Sequence, residues 1–289
     1  MLAEVNAASG TGWALVSRLS GGYQSGAYLL RDRDGARAVL KFTDDPAWAP
    51  TVLAAAPVVA MARASGWPTP AWLLAGQTSS GLPFQVQEFI HGTTQELVTH
   101  DWLDLVLPVV SRQVGLGREG MRDWSRYDYD VVFSPRSPNR EAVSASGDAG
   151  ARLTDVVARA THHHEGVVLP VGDLVHGDMN PENVLIGEHG VAGLIDVETL
   201  GRGTRLHDVS TLMLYAALWG DHEVQDRLAA NARSIAAPGW LEVTLSAVAI
   251  DLLAFGTRHW LADDLAAMCD AAAKLIETHT ESPGLASTT

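Results

Sequence analysis

Apolar and β-branched residues come in short runs over the first 90 positions, broken by turn residues. WALVSRL (13–19), AYLL (27–30) and RAVLKF (37–42) read as three strands. GGYQSG (21–26) joins the first two, and DRDG (32–35) makes a turn into the third. The Ala-rich stretch 47–65 predicts a helix in spite of Pro50 and Pro57, and GWPTP (66–70) ends it. AWLLAG and FQVQEFI then predict a second hairpin around TSSG. From position 91 the spacing turns helical. Leu97, Trp102, Leu105, Val106 and Val109 mark a helix within 95–115. Further helices are expected at 148–164, 207–219, 221–235, 240–256 and 259–279. Residues 117–140 are polar, which predicts a long loop that is free to contact a substrate. The tail ESPGLASTT predicts a frayed end. The pattern divides the chain into a sheet-rich lobe, 1–90, and a helical lobe, 91–289, an α+β architecture.

Composition narrows the functional classes. A chain of 289 residues can bury a substantial core, and 47% hydrophobic with 19% charged residues excludes a disordered acidic chain. The net charge of −14 disfavours nucleic acid and anionic membranes, so neither is expected as a partner. It favours cationic ones; the oligomeric state stays open. No apolar run approaches the roughly 20 residues that span a bilayer. The start MLAEVNAASG lacks the basic and apolar regions of a secretion signal, so a cytoplasmic protein is expected. Cys269 is alone and reads as a small core residue. His162, His163 and His164 read as a surface tract.

The chemistry concentrates between 173 and 208. VLI (184–186) and VAGLI (191–195) are short apolar strands around the turn GEHG. Paired as a hairpin, with partners about 5 Å apart, they bring Asn183 and Asp196 together at the open end. An amide oxygen and a carboxylate are hard ligands suited to Mg²⁺. Asp178, five residues before Asn183, is placed to accept a proton from a substrate hydroxyl. Only two of the 20 basic residues are lysines, and one, Lys41, ends the strand RAVLKF. A base, two metal ligands and a lysine on phosphates are what phosphoryl transfer needs. Ser25 and Gly26, in the GGYQSG turn, are candidates to cover nucleotide phosphates through backbone N–H groups. His176 is read as orienting the loop of Asp178. Glu198 is left open between a second metal, a cationic substrate and solvent.

His176-Gly177-Asp178, four residues, Asn183, then Ile195-Asp196-Val197-Glu198 resemble the aminoglycoside phosphotransferase family, related to choline kinases. The resemblance implies a protein-kinase-like bilobal fold, with ATP and magnesium as cofactors and GTP possible in place of ATP. It implies Asp178 as catalytic base, Asn183 and Asp196 on magnesium, and Lys41 on the α- and β-phosphates. QEFIHG (87–92) resembles the link between lobes. Adenine would then bond the backbone of Glu88 and Ile90 and leave their side chains free. Asp208 matches a further family aspartate, read here as a helix cap or a bond to the catalytic loop. The chain departs from the family in two respects: residues 46–75 contain no Asp or Glu to pair with Lys41, and the glycine-rich turn has Gln24-Ser25-Gly26 where the family has a small-residue/Asn pattern. Asp263 and Asp264, among other acids of the helical half, are candidates to bind a cationic acceptor. Three functions stay open: a kinase of a basic antibiotic, aminoglycoside or cyclic peptide, conferring resistance; a kinase of a small metabolite such as choline, a sugar or an amino acid; and a nucleotide-binding protein without catalysis.

Overall fold

A computed structural model describes residues 1–19, 26–219 and 222–280. The expected frayed tail, 281–289, and Ser25 lie outside the described residues. The chain forms two compact units. One comprises Met1–Thr94, Gly120–Arg122 and Glu182–Gly201, and the other comprises the rest.

The first unit is built on an antiparallel sheet of five strands: β1 (Ala14–Arg18), β2 (Gly26–Arg31), β3 (Arg37–Phe42), β4 (Trp72–Gln77) and β5 (Pro83–Glu88). Their order is β1-β2-β3-β5-β4, so β3 is central and carries four consecutive buried residues, Ala38 to Lys41. Asp32 closes the β2–β3 hairpin by accepting the N–H groups of Asp34 and Ala36 at 2.9 and 2.8 Å. Leu30, Ala38, Leu40, Phe84 and Val86 form the core on one face of the sheet. Val5 covers that core from a helix at Leu2–Ser9 that the sequence pattern did not reveal. This helix buries only Val5, too little for a visible period. Asn6 ties it down instead, bonding both the N–H and the C=O of Trp13. The expected Ala-rich helix runs Ala49–Ala64 and buries Val52, Ala55, Val59 and Ala62. Pro50 sits in its first turn, where no intrahelical bond is lost.

The second unit is mainly helical. Its helices include His100–Ser111, Asp148–Thr161, Leu206–Trp219, His222–Ile235, Trp240–His259 and Ala262–Thr280, close to the expected spans. Residues 117–140 are not a long loop. Asp123 caps a helix at Trp124–Phe133, and Ser137 caps another at Pro138–Ser144. The first helix escapes a hydrophobic pattern because two of its inward positions, Ser125 and Asp128, are polar. The expectation about apolar length also needs correction. Among the described residues two helices, Pro46–Ala64 and Trp240–His259, are long and apolar enough to cross a bilayer by length and composition. In Trp240–His259 that apolar surface is largely buried by packing within the unit. Cys269 is buried as expected.

Candidate active site

In the first unit the site is organised around Lys41. The β3 register sets Lys41 opposite Ala27 of β2 and Gln85 of β5, and its side chain is buried. The second contributor is the hairpin of Val184–Gly187 and Gly190–Leu194, paired antiparallel with Val184 opposite Leu194. The ladder continues one step, since the Ile195 N–H donates to the Asn183 carbonyl at 2.9 Å. Asn183 and Asp196 therefore flank the open end of the hairpin, as the sequence pattern predicted. Asp196 has φ 64°, the only left-handed non-glycine residue among those described. Aspartate tolerates this conformation better than most residues. The turn it makes brings two acids onto the lysine. Lys41 Nζ lies 2.6 Å from Asp196 Oδ1 and 2.7 Å from Glu198 Oε1.

This arrangement answers what holds the lysine when residues 46–75 offer no acid: Glu198 does, together with Asp196. Glu198 is thus not a solvated acid. Burial alone would lower the Lys41 ammonium, but the fields of Glu198 and Asp196 outweigh it and the group is raised above the usual lysine range. Burial, with Asp196 adding to it, pushes the Glu198 carboxyl up to about 7 against the pull of Lys41. Glu198 Oε2 is buried with no hydrogen-bond partner among the described residues. The donor set at this end of the hairpin, one amide oxygen and adjoining carboxylates, fits a hard divalent cation.

In the second unit the loop after the strand Asp173–Val175 carries His176, Gly177 and Asp178. Asp208, fully buried in the helix Leu206–Trp219, holds this loop by its backbone. It accepts the His176 N–H at 2.8 Å, the Gly177 N–H at 3.0 Å and the Gln113 side-chain amide at 2.5 Å. Of the two uses expected for Asp208, the structure shows the bond to the loop. His176 is also buried, and its Nδ1 accepts the Asp178 N–H at 3.2 Å. That bond makes His176 an orienting residue. Asn180, which the sequence reading did not single out, donates to Asp178 Oδ1 at 2.8 Å and fixes the carboxylate. Gly177 has φ +84°, and a Cβ there would lie 2.0 Å from the Trp124 ring. Behind that ring, His207 Nδ1 pairs with Asp128 at 2.9 Å in the buried core. Burial would depress the imidazole, but Asp128 raises it to about 9.

Gly26 opens β2 opposite Phe42. Glu88 and Ile90 line a cavity of about 550 Å³ in the first unit, with Arg63, Trp67 and Thr69. The lining does not include Lys41, Asn183 or Asp196. The Glu88 side chain is not free as expected: its carboxylate pairs with Arg63 at 3.0 Å and accepts the Ala71 N–H at 3.2 Å. Its charge and the approach of the loop after the Ala-rich helix explain the difference. Asp263 and Asp264 are exposed in the first turn of Ala262–Thr280.

Comparison with known proteins gives the fold and the family. By fold the chain is similar to the aminoglycoside phosphotransferase APH(4)-Ia, solved with ADP and hygromycin B, at TM-score 0.71 and 16% identity. That match covers 97% of this chain and 99% of the other. It is also similar to the aminoglycoside phosphotransferase APH(3'')-Id from Streptomyces rimosus, at TM-score 0.55 and 21% identity, covering 86% and 96%. A third is the macrolide 2'-phosphotransferase MphH from Brachybacterium faecium, at 0.58 and 15%, covering 95% and 96%. These likenesses show the shared kinase-like fold. No curated protein matches by sequence. The model of the phosphotransferase enzyme family matches residues 15–244, most of the chain, and the chain belongs to that family.

Proposed function

We propose that the protein uses magnesium and ATP to phosphorylate a hydroxyl of a small cationic molecule. The class of acceptor proposed is a basic antibiotic, an aminoglycoside or cyclic peptide, with resistance as the consequence. The observation that carries this reading is Lys41 against Asp196 at 2.6 Å, across 155 positions of sequence. It sets a buried cation beside a carboxylate that flanks the hairpin end, the pairing that phosphate and its counter-ion require. The fold neighbours crystallised with ADP and hygromycin B support a nucleotide and an aminoglycoside as ligands, and the net charge of −14 supports a cationic acceptor.

In this reading each residue has one task. Asn183 and Asp196 would hold Mg²⁺, which when bound neutralises phosphate charge. Lys41 binds the α- and β-phosphates and stabilises the charge that builds there during transfer. Asp178 accepts the proton of the acceptor hydroxyl as that oxygen attacks the γ-phosphate. Asn180 and the Asp208-held backbone keep the Asp178 carboxylate in one orientation, so less freedom is lost on the way to the transition state. His176 holds the loop and transfers no proton.

The test is ATP consumption with magnesium against a panel of aminoglycosides, basic cyclic peptides, macrolides and choline-type metabolites. Mass detection should show one phosphate added to the acceptor. A phosphorylated basic antibiotic is the expected result. Phosphate on a metabolite alone would move the protein to the metabolite kinases. ATP binding without turnover on any compound would point to the non-catalytic reading.

A further inference from the structure

We infer that Glu198 is the positioning residue for Lys41, taking the place of a helix acid and doing so from the same turn as Asp196. The inference rests on the phosphotransferase reading above and goes beyond it. Lys41 meets two carboxylates, Asp196 at 2.6 Å and Glu198 at 2.7 Å. Asp196 is also the carboxylate that would hold a cation at the hairpin end, which would leave Glu198 as the lysine's own partner. Glu198 keeps the lysine aimed.

Three observations support this division. Residues 46–75, which hold the whole Ala49–Ala64 helix, contain no Asp or Glu, so that helix supplies no partner. Glu198 is held out of water, with side-chain exposure of 14% against 42% for Asp196. The better-shielded acid makes the less screened contact. Finally, Glu198 Oε2 has no hydrogen-bond partner among the described residues, so Lys41 provides the neutralising charge for this carboxylate. The consequence is mechanical. The lysine anchor and the metal aspartate are two residues apart on one turn, fixed by the left-handed backbone at Asp196. Placement of the helix no longer decides whether Lys41 is aligned.

A double-mutant cycle tests this. Glu198→Gln, Lys41→Ala and the double variant are compared for KM of ATP, kcat, half-saturating Mg²⁺ at saturating ATP, and melting temperature, with Glu198→Asp as a conservative partner. Acting through Lys41, Glu198→Gln alone should lower kcat/KM for ATP by 10- to 100-fold, and Glu198→Asp should recover part of it. Added to Lys41→Ala, it should cost less than a further twofold. The half-saturating Mg²⁺ should stay within twofold. Equal losses in both backgrounds, or a loss confined to Mg²⁺ saturation, would make Glu198 a metal ligand and overturn the inference. A change in melting temperature with unchanged kinetics would make it merely structural. Wild-type protein that binds no Mg-ATP would overturn the phosphotransferase reading itself, and this inference with it. Wild-type turnover with an additive cycle would overturn this inference alone.

Discussion

Asn in place of Asp208 keeps the shape of the side chain and removes its charge. Asp208 serves three donors with two oxygens: Gln113 and His176 on Oδ2, Gly177 on Oδ1. Asn has one acceptor oxygen, so its amide nitrogen must face either the Gly177 N–H or the other two donors. The site is fully buried, so water cannot relieve the clash of donors. One unmet buried donor costs about 1–3 kcal/mol, and the two remaining bonds each weaken by about 1 kcal/mol when the acceptor loses its charge. The carboxylate's own desolvation penalty disappears, which offsets part of the loss. A net destabilisation of about 3 kcal/mol follows, a large share of the roughly 5–15 kcal/mol that holds a domain together. Urea unfolding with fixed slope measures it. Because the freed backbone is that of His176 and Gly177, Asp178 loses its set position and kcat should fall about 10- to 100-fold. A loss below about 1 kcal/mol with kcat unchanged would refute Asp208 as the clamp of this loop.

Further outcomes follow from the same geometry. Gly177→Ala places a Cβ at 2.0 Å from the Trp124 ring and a side chain on a left-handed backbone; thermal melts should show a loss of about 2–5 kcal/mol, and a wild-type melting temperature would refute the close approach. Asp178→Asn removes the proton acceptor, so kcat should drop at least 100-fold while ATP affinity, read by calorimetry, stays within about twofold; an equal loss of both would remove Asp178 as the base. The His207–Asp128 pair gives a pH dependence. The His207 imidazole is raised in the folded protein, so its contribution is complete below about pH 6.5 and is lost as pH rises through about 9. Urea unfolding at pH 6.5 and 9 should show stability falling over that window, and Asp128→Asn should flatten the fall; a flat wild-type profile would refute the ion pair.

Local signals made the central chemistry legible in the sequence. The β-branched and aromatic content of RAVLKF and the turn DRDG marked β3 and hence the place of Lys41. VLI, GEHG and VAGLI carried the hairpin that sets Asn183 beside Asp196, because strand pairing through a short turn depends on neighbouring residues. What stayed hidden is non-local. Lys41 and Glu198 are 157 positions apart, and no spacing rule connects a strand lysine to a turn acid. The three donors on Asp208 come from two distant segments. Asn180 had a weak signal, an amide two residues after the base, where a short polar side chain reaches back to its neighbour. The Trp124–Phe133 helix has the pattern of a loop because Asp128 faces inward to His207, which breaks the apolar period that marks a helix.

The two halves of the chemistry are therefore secured by different forces, each within its own unit. Lys41 is held by charge, through Glu198 and Asp196, and its contacts are ionic and partly exposed to salt. The loop of Asp178 is held by hydrogen bonds to a fully buried carboxylate, which salt does not reach. If this is the correct division, perturbations should separate. Raising ionic strength should weaken nucleotide binding, seen as a rising KM for ATP, and should leave the kcat ratio of wild type to Asp208→Asn unchanged. Glu198→Gln should make the KM for ATP more dependent on salt, because the pair left to hold Lys41 is the more exposed one with Asp196. Asp208→Asn should leave that dependence as it is in the wild type. A salt response of the same size in all three proteins would show that Lys41 is not held electrostatically, and the chemical division between the two clamps would fail.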